Sequence, residues 1–382
     1  MKKLFYFGLL GLSLLEILKV YLIMPMPGSQ EMDSIDVAYF IHTYRWYFRV
    51  IFGLMILLGG MQAFQVKKRW LPLIPLLLTG YVVYYFNFKM TAEKIFMEPQ
   101  KKLVFTTKSQ NPIGDTAIVI GVVHNGEAKA YPVRYIGYHH QVRDTVGGKP
   151  VMVTYCTVCR TGRVFEPVVN GSSENFRLVG MDHFNAMFED SSTKSWWRQV
   201  TGEAVAGPLK GSFLPEVESF QVSTGKFFWL YPFGKVMNAD EPSVIFYDSL
   251  ARYERGKSKG DLTKRDSLSW KEKSWVVGIQ ANQKSKAYDW NKLIEQRIIN
   301  DNVGGVPVVV ALSDDNQSFV VYQRSDSATF SITGDTLVSG NTKYDFSGKN
   351  VLSDSLSLKR IPAYQEYWHS WKTFHPATEI FE

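Results

Sequence analysis

Cysteine is nearly absent from this 382-residue chain: Cys156 and Cys159, in the stretch VTYCTVCRTGRVF, are the only two. Any thiol chemistry is therefore confined to one place. The chain has no Gly-x-x-x-x-Gly-Lys phosphate loop and no Gly-x-Ser-x-Gly elbow, so nucleotide hydrolysis and esterase chemistry have no support. The net charge of +7 is spread among carboxylates, with no long basic stripe interleaved with aromatics, and no nucleic-acid partner is expected. Long amphipathic helical patterns are scarce beyond residue 90, and no acid–base pair can be nominated.

Apolar length, by contrast, is plentiful at the N-terminus. Three runs, 4–24, 44–64 (with its aromatic flank YRWYFR) and 70–88, each approach the roughly 20 residues that a helix needs to cross a hydrocarbon core of about 30 Å. About three transmembrane helices are expected over a membrane region 1–92. Glu16 and Lys19 fall one turn apart in the first run and can pair. Lys2 and Lys3 precede it, Lys67, Lys68 and Arg69 lie between the second and third runs, and the loop PMPGSQEMDSID is acidic. Basic residues close to a span stay on the cytoplasmic side. The expected protein is thus integral to the cytoplasmic membrane, with the lipid bilayer as partner, a cytoplasmic N-terminus and an extracytoplasmic C-terminal domain. A cleaved signal peptide is the rival reading of the first run; LIMPMPGSQ offers no convincing small-x-small cleavage site, and that reading exports the main domain as well.

The remainder is dense in short β-type stretches broken by Gly, Asn, Asp and Pro, with Asn125-Gly126 set between apolar runs as a hairpin turn. A mainly β fold is expected, with short helices near 133–142, 290–299 and 365–374. The stretch from Val119 aligns without a gap with that from Val276, sharing Lys-Ala-Tyr at 129–131 and 286–288, Asp144 and Asp301, and Val-Gly-Gly-x-Pro-Val at 146–151 and 303–308. Two related β-rich units are inferred: a first unit 93–252, a connector 253–273, and a second, degenerate unit 274–382. Shared residues belong to the common framework. Residues present only in the first copy are candidates for chemistry: Cys156 faces Ser313, His139 and His140 face Gln296 and Arg297, and Cys159 has no cysteine counterpart.

The strings AYPVRYIGYHHQVRDTVGGKPVMVTYCTVCRTGRVFEP, SWWRQVTGEAVAGPLKG and YWHSWKTFHPATEI together resemble the bacterial family catalogued as domain of unknown function 3179. The resemblance covers most of 110–382 and includes the two-copy arrangement. Members typically carry Trp-His-Glu where this chain has Tyr138-His139-His140, so His139 matches the family's histidine and His140 departs from its glutamate. The family has no established activity, so the resemblance implies a fold and boundaries only.

Cys-Thr-Val-Cys followed by Arg160-Thr161-Gly162 resembles the tight knuckle of zinc-ribbon and rubredoxin-like sites, in which two sulfurs point at one spot. A full site needs two more ligands. His139 precedes the cysteine strand, and His183 lies between Met181 and Met187, ligand types that favour copper. A zinc or copper site of Cys156, Cys159, His139 and His183, with His140, Arg160 and Met181 in support, is therefore constructible, served by an envelope protein or metal-delivery partner. The competing reading is an envelope thiol–disulfide oxidoreductase, with Arg160 favouring the Cys159 thiolate; against it, RTGRVFEP does not read as the helix that thioredoxin-type pairs open. A third is an inert disulfide or a pair of buried thiols, in a structural or interaction module without chemistry. Trp196, Trp197, Arg198 and Glu203 can line a groove, although tryptophans more often pack. His369 and His375 sit among aromatics and read as packing or capping residues.

Overall fold

A computed structural model describes residues 1–325, 327–353 and 357–382. The chain divides into two compact units: one comprises 1–97, 174–198 and 203–213, and the other 98–173, 199–202 and 214–382.

The first unit contains the helices Lys2–Tyr21, Ile35–Ala63 and Leu73–Phe88. The first two, with 20 and 29 residues, are long and apolar enough to cross a membrane. The third has 16 residues, and at about 1.5 Å per residue it reaches only about 24 Å, short of a core of about 30 Å. The expectation of three spans is corrected to two helices of spanning length. The reason is local: Pro72 sits at the N-cap, so the helix starts at Leu73 and the Trp70-Leu71 end of the run is lost to a turn.

Apolar side chains on these helices face outward, with Leu57 and Met61 72% and 78% exposed. Polar groups turn inward instead. The fully buried Glu16 carboxylate accepts from Lys19 Nζ at 2.7 Å, Arg49 Nε at 2.6 Å and Asn87 Nδ2 at 2.8 Å, so one anion gathers all three helices. The short third helix lies alongside the first. Leu76 packs against the cluster of Phe5, Leu9 and Ala63, Ser13 Oγ is 3.1 Å from Thr79 Oγ1, and Asn87 Oδ1 accepts from Lys19. The two helices therefore run parallel and end on the same side.

The same unit holds an antiparallel sheet of Phe176–Asp182, Asn185–Asp190, Trp196–Arg198 and Ala204–Ala206. Its Val179, Met187, Trp196, Val205 and Ala206 share a core with Leu22, Ile23 and Ala38 from the helical segment. At Gly180 the backbones nearly touch: Met181 N donates to Ile23 O at 2.7 Å, and a Cβ on Gly180 would lie 2.2 Å from that oxygen.

The second unit is β-rich with short helices, as expected. Strands Ile118–His124 and Glu127–Pro132 pair through Asn125 (φ 44°) and Gly126 (φ 76°), the left-handed pair that a tight hairpin turn demands. The helix Val133–His139 follows, then the antiparallel strands Gln141–Val146, Lys149–Cys156 and Thr161–Phe165. The same order of elements occurs again as Trp275–Ala281, Lys284–Asp289, the helix Trp290–Gln296, Ile298–Val303 and Val306–Leu312. Corresponding contacts appear in each: the Tyr131 hydroxyl donates to Asp144 at 2.7 Å and the Tyr288 hydroxyl to Asp301 at 2.9 Å. His140 and Arg297 both end their helices in the left-handed region, at φ 61° and 60°. Two further helices matter for the site, Val244–Glu254 and Trp368–Phe374, of which only the second was foreseen.

Candidate functional site

The cysteines sit on a hairpin. Cys156 ends its strand, pairs across the ladder with Thr161, and residues 157–160 make the loop, with Arg160 at φ 57°. Both cysteines are fully buried, and they are not joined in a disulfide. The pair opens no helix, as expected from RTGRVFEP, which continues as the strand Thr161–Phe165.

Hydrogen bonds from Lys273, His369 and Tyr367 help to hold the loop. Lys273 Nζ donates to Val158 O at 2.9 Å, His369 Nε2 lies 3.0 Å from the same oxygen, and Tyr367 N donates to Cys159 O at 2.9 Å. Lys273 Nζ and His369 Nε2 are themselves 3.0 Å apart. Burial pulls the Lys273 ammonium from its ordinary 10.5 down to about 8, while the neighbouring sulfurs of Cys159 and Cys156 act to keep it charged. Burial, with the Lys273 charge adding to it, pushes His369 down to about 4, so its imidazole is neutral at pH 7. Two thiols, an amine whose pKa is lowered to about 8 and a neutral imidazole thus meet at one loop. Such a set can hold a thiolate and move a proton.

The other expected site residues are engaged elsewhere. Arg160 is buried: its Nε donates to Gln365 Oε1 at 3.0 Å, its Nη2 to Glu254 O at 3.1 Å, and its guanidinium stacks 3.6 Å from the Trp275 ring centroid. Its charge therefore lies at the C-terminal end of Val244–Glu254, where the helix dipole favours a cation, while Lys273 is a cation in electrostatic contact with the sulfurs. His139 Nε2 meets the Tyr247 hydroxyl at 2.6 Å. His140 is pushed down to about 4 by burial, and its carbonyl accepts from Tyr155 N at 3.0 Å, one residue before Cys156. His183 and Met181 belong to the first unit, where His183 contacts Asp182 at 2.7 Å and Asp33 at 3.2 Å, and the Asp182 bond raises its pKa. Among the described residues no three His, Cys, Asp or Glu side chains gather as a metal site requires.

A family profile described as protein of unknown function (DUF3179) matches residues 99–378. The chain belongs to this family. No curated protein and no solved structure matches it. The matched DUF3179 span includes both cysteines, Lys273 and His369.

Two residues that bond this loop of the DUF3179 domain, Lys273 and His369, have no role in the sequence-based expectation. Lys273 fell in the presumed connector, and His369 was read as packing because of its aromatic neighbours. The signal for His369 was present, since YWHSWKTFHPATEI was among the stretches that carried the resemblance. Lys273 had none, because only the tertiary fold brings it to Val158. Trp196 and Trp197 are buried and donate to Glu189 and Asp190, both at 2.9 Å, which is the packing role weighed for them; Arg198 bonds Asp182 and Glu203.

Proposed function

We propose that this protein is a membrane-anchored, extracytoplasmic thiol–disulfide oxidoreductase whose dithiol is Cys156 and Cys159. The observation that carries this reading is the hairpin loop with both thiols in the field of the Lys273 ammonium. A cation beside a thiol stabilises the thiolate, the nucleophile of disulfide exchange. In the reaction one thiolate attacks a disulfide of an exported protein and forms a mixed disulfide. The second thiol then closes a Cys156–Cys159 bond and releases the partner as a dithiol. Two electrons and two protons pass to the partner. Since both sulfurs are buried, the loop must open first, by breaking hydrogen bonds that include those from Lys273, His369 and Tyr367.

The anchoring supports the compartment. On our reading Lys2 and Lys3, with the Lys67 to Arg69 cluster, mark the cytoplasmic side, and the third helix, though shorter than a full span, runs parallel to the first and so leads the chain away from that side. On our reading the segments 118–156 and 275–312 are two copies of one unit. The second copy keeps the Tyr–Asp bond and the left-handed helix end but has Ser313 where the first has Cys156, which points to chemistry in the first copy alone.

The test is a thiol count and metal analysis of the full chain, purified in detergent and equilibrated with glutathione buffers of rising oxidising strength. The expected result is two thiols under reducing conditions and none under oxidising ones, with a Cys156–Cys159 cross-link in the digested peptide. Two thiols that persist in every buffer would sink the proposal. One zinc or copper retained per chain would do the same and restore the metal-handling reading.

A further inference from the structure

A cavity of about 560 Å³ opens in the first unit, lined at one end of the three helices and by the neighbouring sheet. Its charged lining is Lys19, Arg45, Arg177 and Lys194 against Glu93 and Glu189, an excess of two positive charges. The carboxylates are already committed. Glu189 accepts from Arg177 Nε and from Trp196 Nε1, both at 2.9 Å, and Glu93 lies 3.4 Å from Arg177 Nη1. Lys19 shares the buried Glu16 carboxylate with Arg49. Among the described residues, neither Arg45 nor Lys194 has a carboxylate within ion-pairing distance; the Arg45 guanidinium donates only to the carbonyl of His42 on its own helix.

The position of the cavity indicates what would supply the missing anion. Its lining comes from the last turn of the first helix, from the 39–45 part of the second, and from residues at and just beyond the end of the third. Exposed aromatics crowd the same level: Phe40, Tyr44, Trp46 and Tyr47 on the second helix, Tyr84 and Phe88 on the third. Such aromatic belts sit at the boundary between hydrocarbon and water, where lipid phosphates lie. A guanidinium offers a planar fork of donors that fits phosphate oxygens two at a time, and basic pockets between membrane helices are suited to headgroups.

We propose that this cavity binds a phosphate group, presented by the headgroup of an anionic membrane lipid, with Arg45 as the bidentate donor, Lys194 as the gate-side cation and Arg177 as a positioned third. The inference rests on the membrane-anchoring reading, not on the chemistry proposed for the cysteines. Titration calorimetry of the full chain in a neutral detergent, with dihexanoyl phosphatidylglycerol, dihexanoyl phosphatidylcholine and inorganic phosphate as separate probes, tests it. The expected result is saturable binding of the glycerol lipid, at least tenfold weaker in Arg45→Gln and in Lys194→Gln, with little heat from the choline lipid. Equal binding of inorganic phosphate, lost in the same variants, would keep the phosphate site and assign it to a free anion. Unchanged binding in both variants, or no binding of any probe, would overturn the proposal. Lys194 is exposed and makes no ion pair among the described residues, so its variant reads binding without disturbing the fold. Alkaline carbonate washing of membranes separates the two failures: a chain that washes off defeats the anchoring, whereas one that stays while binding is insensitive to Arg45 defeats only the site.

Discussion

Replacing Glu366 by alanine should be among the most damaging single changes in the second unit. The carboxylate is fully buried and accepts from Arg163 Nη2 at 2.8 Å, Thr161 Oγ1 at 2.9 Å and Ser370 Oγ at 2.8 Å. It joins the strand that leaves the cysteine loop to the strand Ala363–Tyr367, whose last residue bonds Cys159 O. Truncation leaves Arg163 at 3% exposure without its anion, with Nε on Val200 O and Nη1 unpartnered. Removing one partner of a buried pair costs about 3 to 5 kcal/mol, because the surviving charge remains desolvated. For a unit of this size, each kcal/mol moves a melting temperature by about 2 to 4 °C, so a fall on the order of 10 °C is expected. The assay is thermal melting of the full chain in detergent, followed by near-ultraviolet circular dichroism of the tryptophans. Pairing Glu366→Leu with Arg163→Met should recover much of the loss, since neither charge is then stranded. A shift below about 2 °C for the alanine variant, or a double variant no better than the single, would refute the reasoning.

Three further outcomes can be checked. The Lys273 ammonium has a folded-state value of about 8 against an ordinary 10.5, so between these values the unfolded chain keeps a proton that the folded chain has released. Stability should therefore gain a component that rises from pH 8 toward 10.5; Lys273→Met should lose that rise in urea midpoints, and identical profiles for the two chains would contradict it. Gly180→Ala forces a Cβ to within 2.2 Å of Ile23 O, which only a backbone shift can relieve; a cost of about 1 to 3 kcal/mol is expected, and an unchanged melt of the first unit would show that the close approach is not rigid. The Cys156→Ser, Cys159→Ser double variant should stay folded, with a loss limited to about 1 to 3 kcal/mol for two buried hydroxyls; collapse of the unit would mean that the thiols hold the structure together.

The local features were legible because local chemistry determines them. Asn125-Gly126 declared its turn, and the short helices Val133–His139, Trp290–Gln296 and Trp368–Phe374 fall within the stretches expected for them. The burial of Trp196 and Trp197 followed from the size of their rings. What stayed hidden was assembly. Lys273 and His369 meet at Val158 O through long-range packing that has no periodic signature, and the charged character of 253–273 gave no hint that Lys273 would be partly desolvated. The third apolar run looked long enough to span because hydropathy counts Pro72 and its neighbours alike, whereas the helix starts only after the proline. Nor did composition reveal that 174–198 and 203–213 belong with the N-terminal helices.

That last arrangement governs where the chain can be cut. A soluble fragment beginning near residue 98, the natural choice from the DUF3179 boundary, would retain the strands Phe176–Asp182 through Ala204–Ala206 but discard Leu22, Ile23 and Ala38, which complete their core. Val179, Met187, Trp196 and Val205 would then be left to water, a sticky face created by the scissors rather than by evolution. Aggregation of such a fragment would say little about the cysteine hairpin. The N-terminal helical unit is in part made from sequence that comes after the cysteines, and the ribosome must reach at least Ala206 before that core can close.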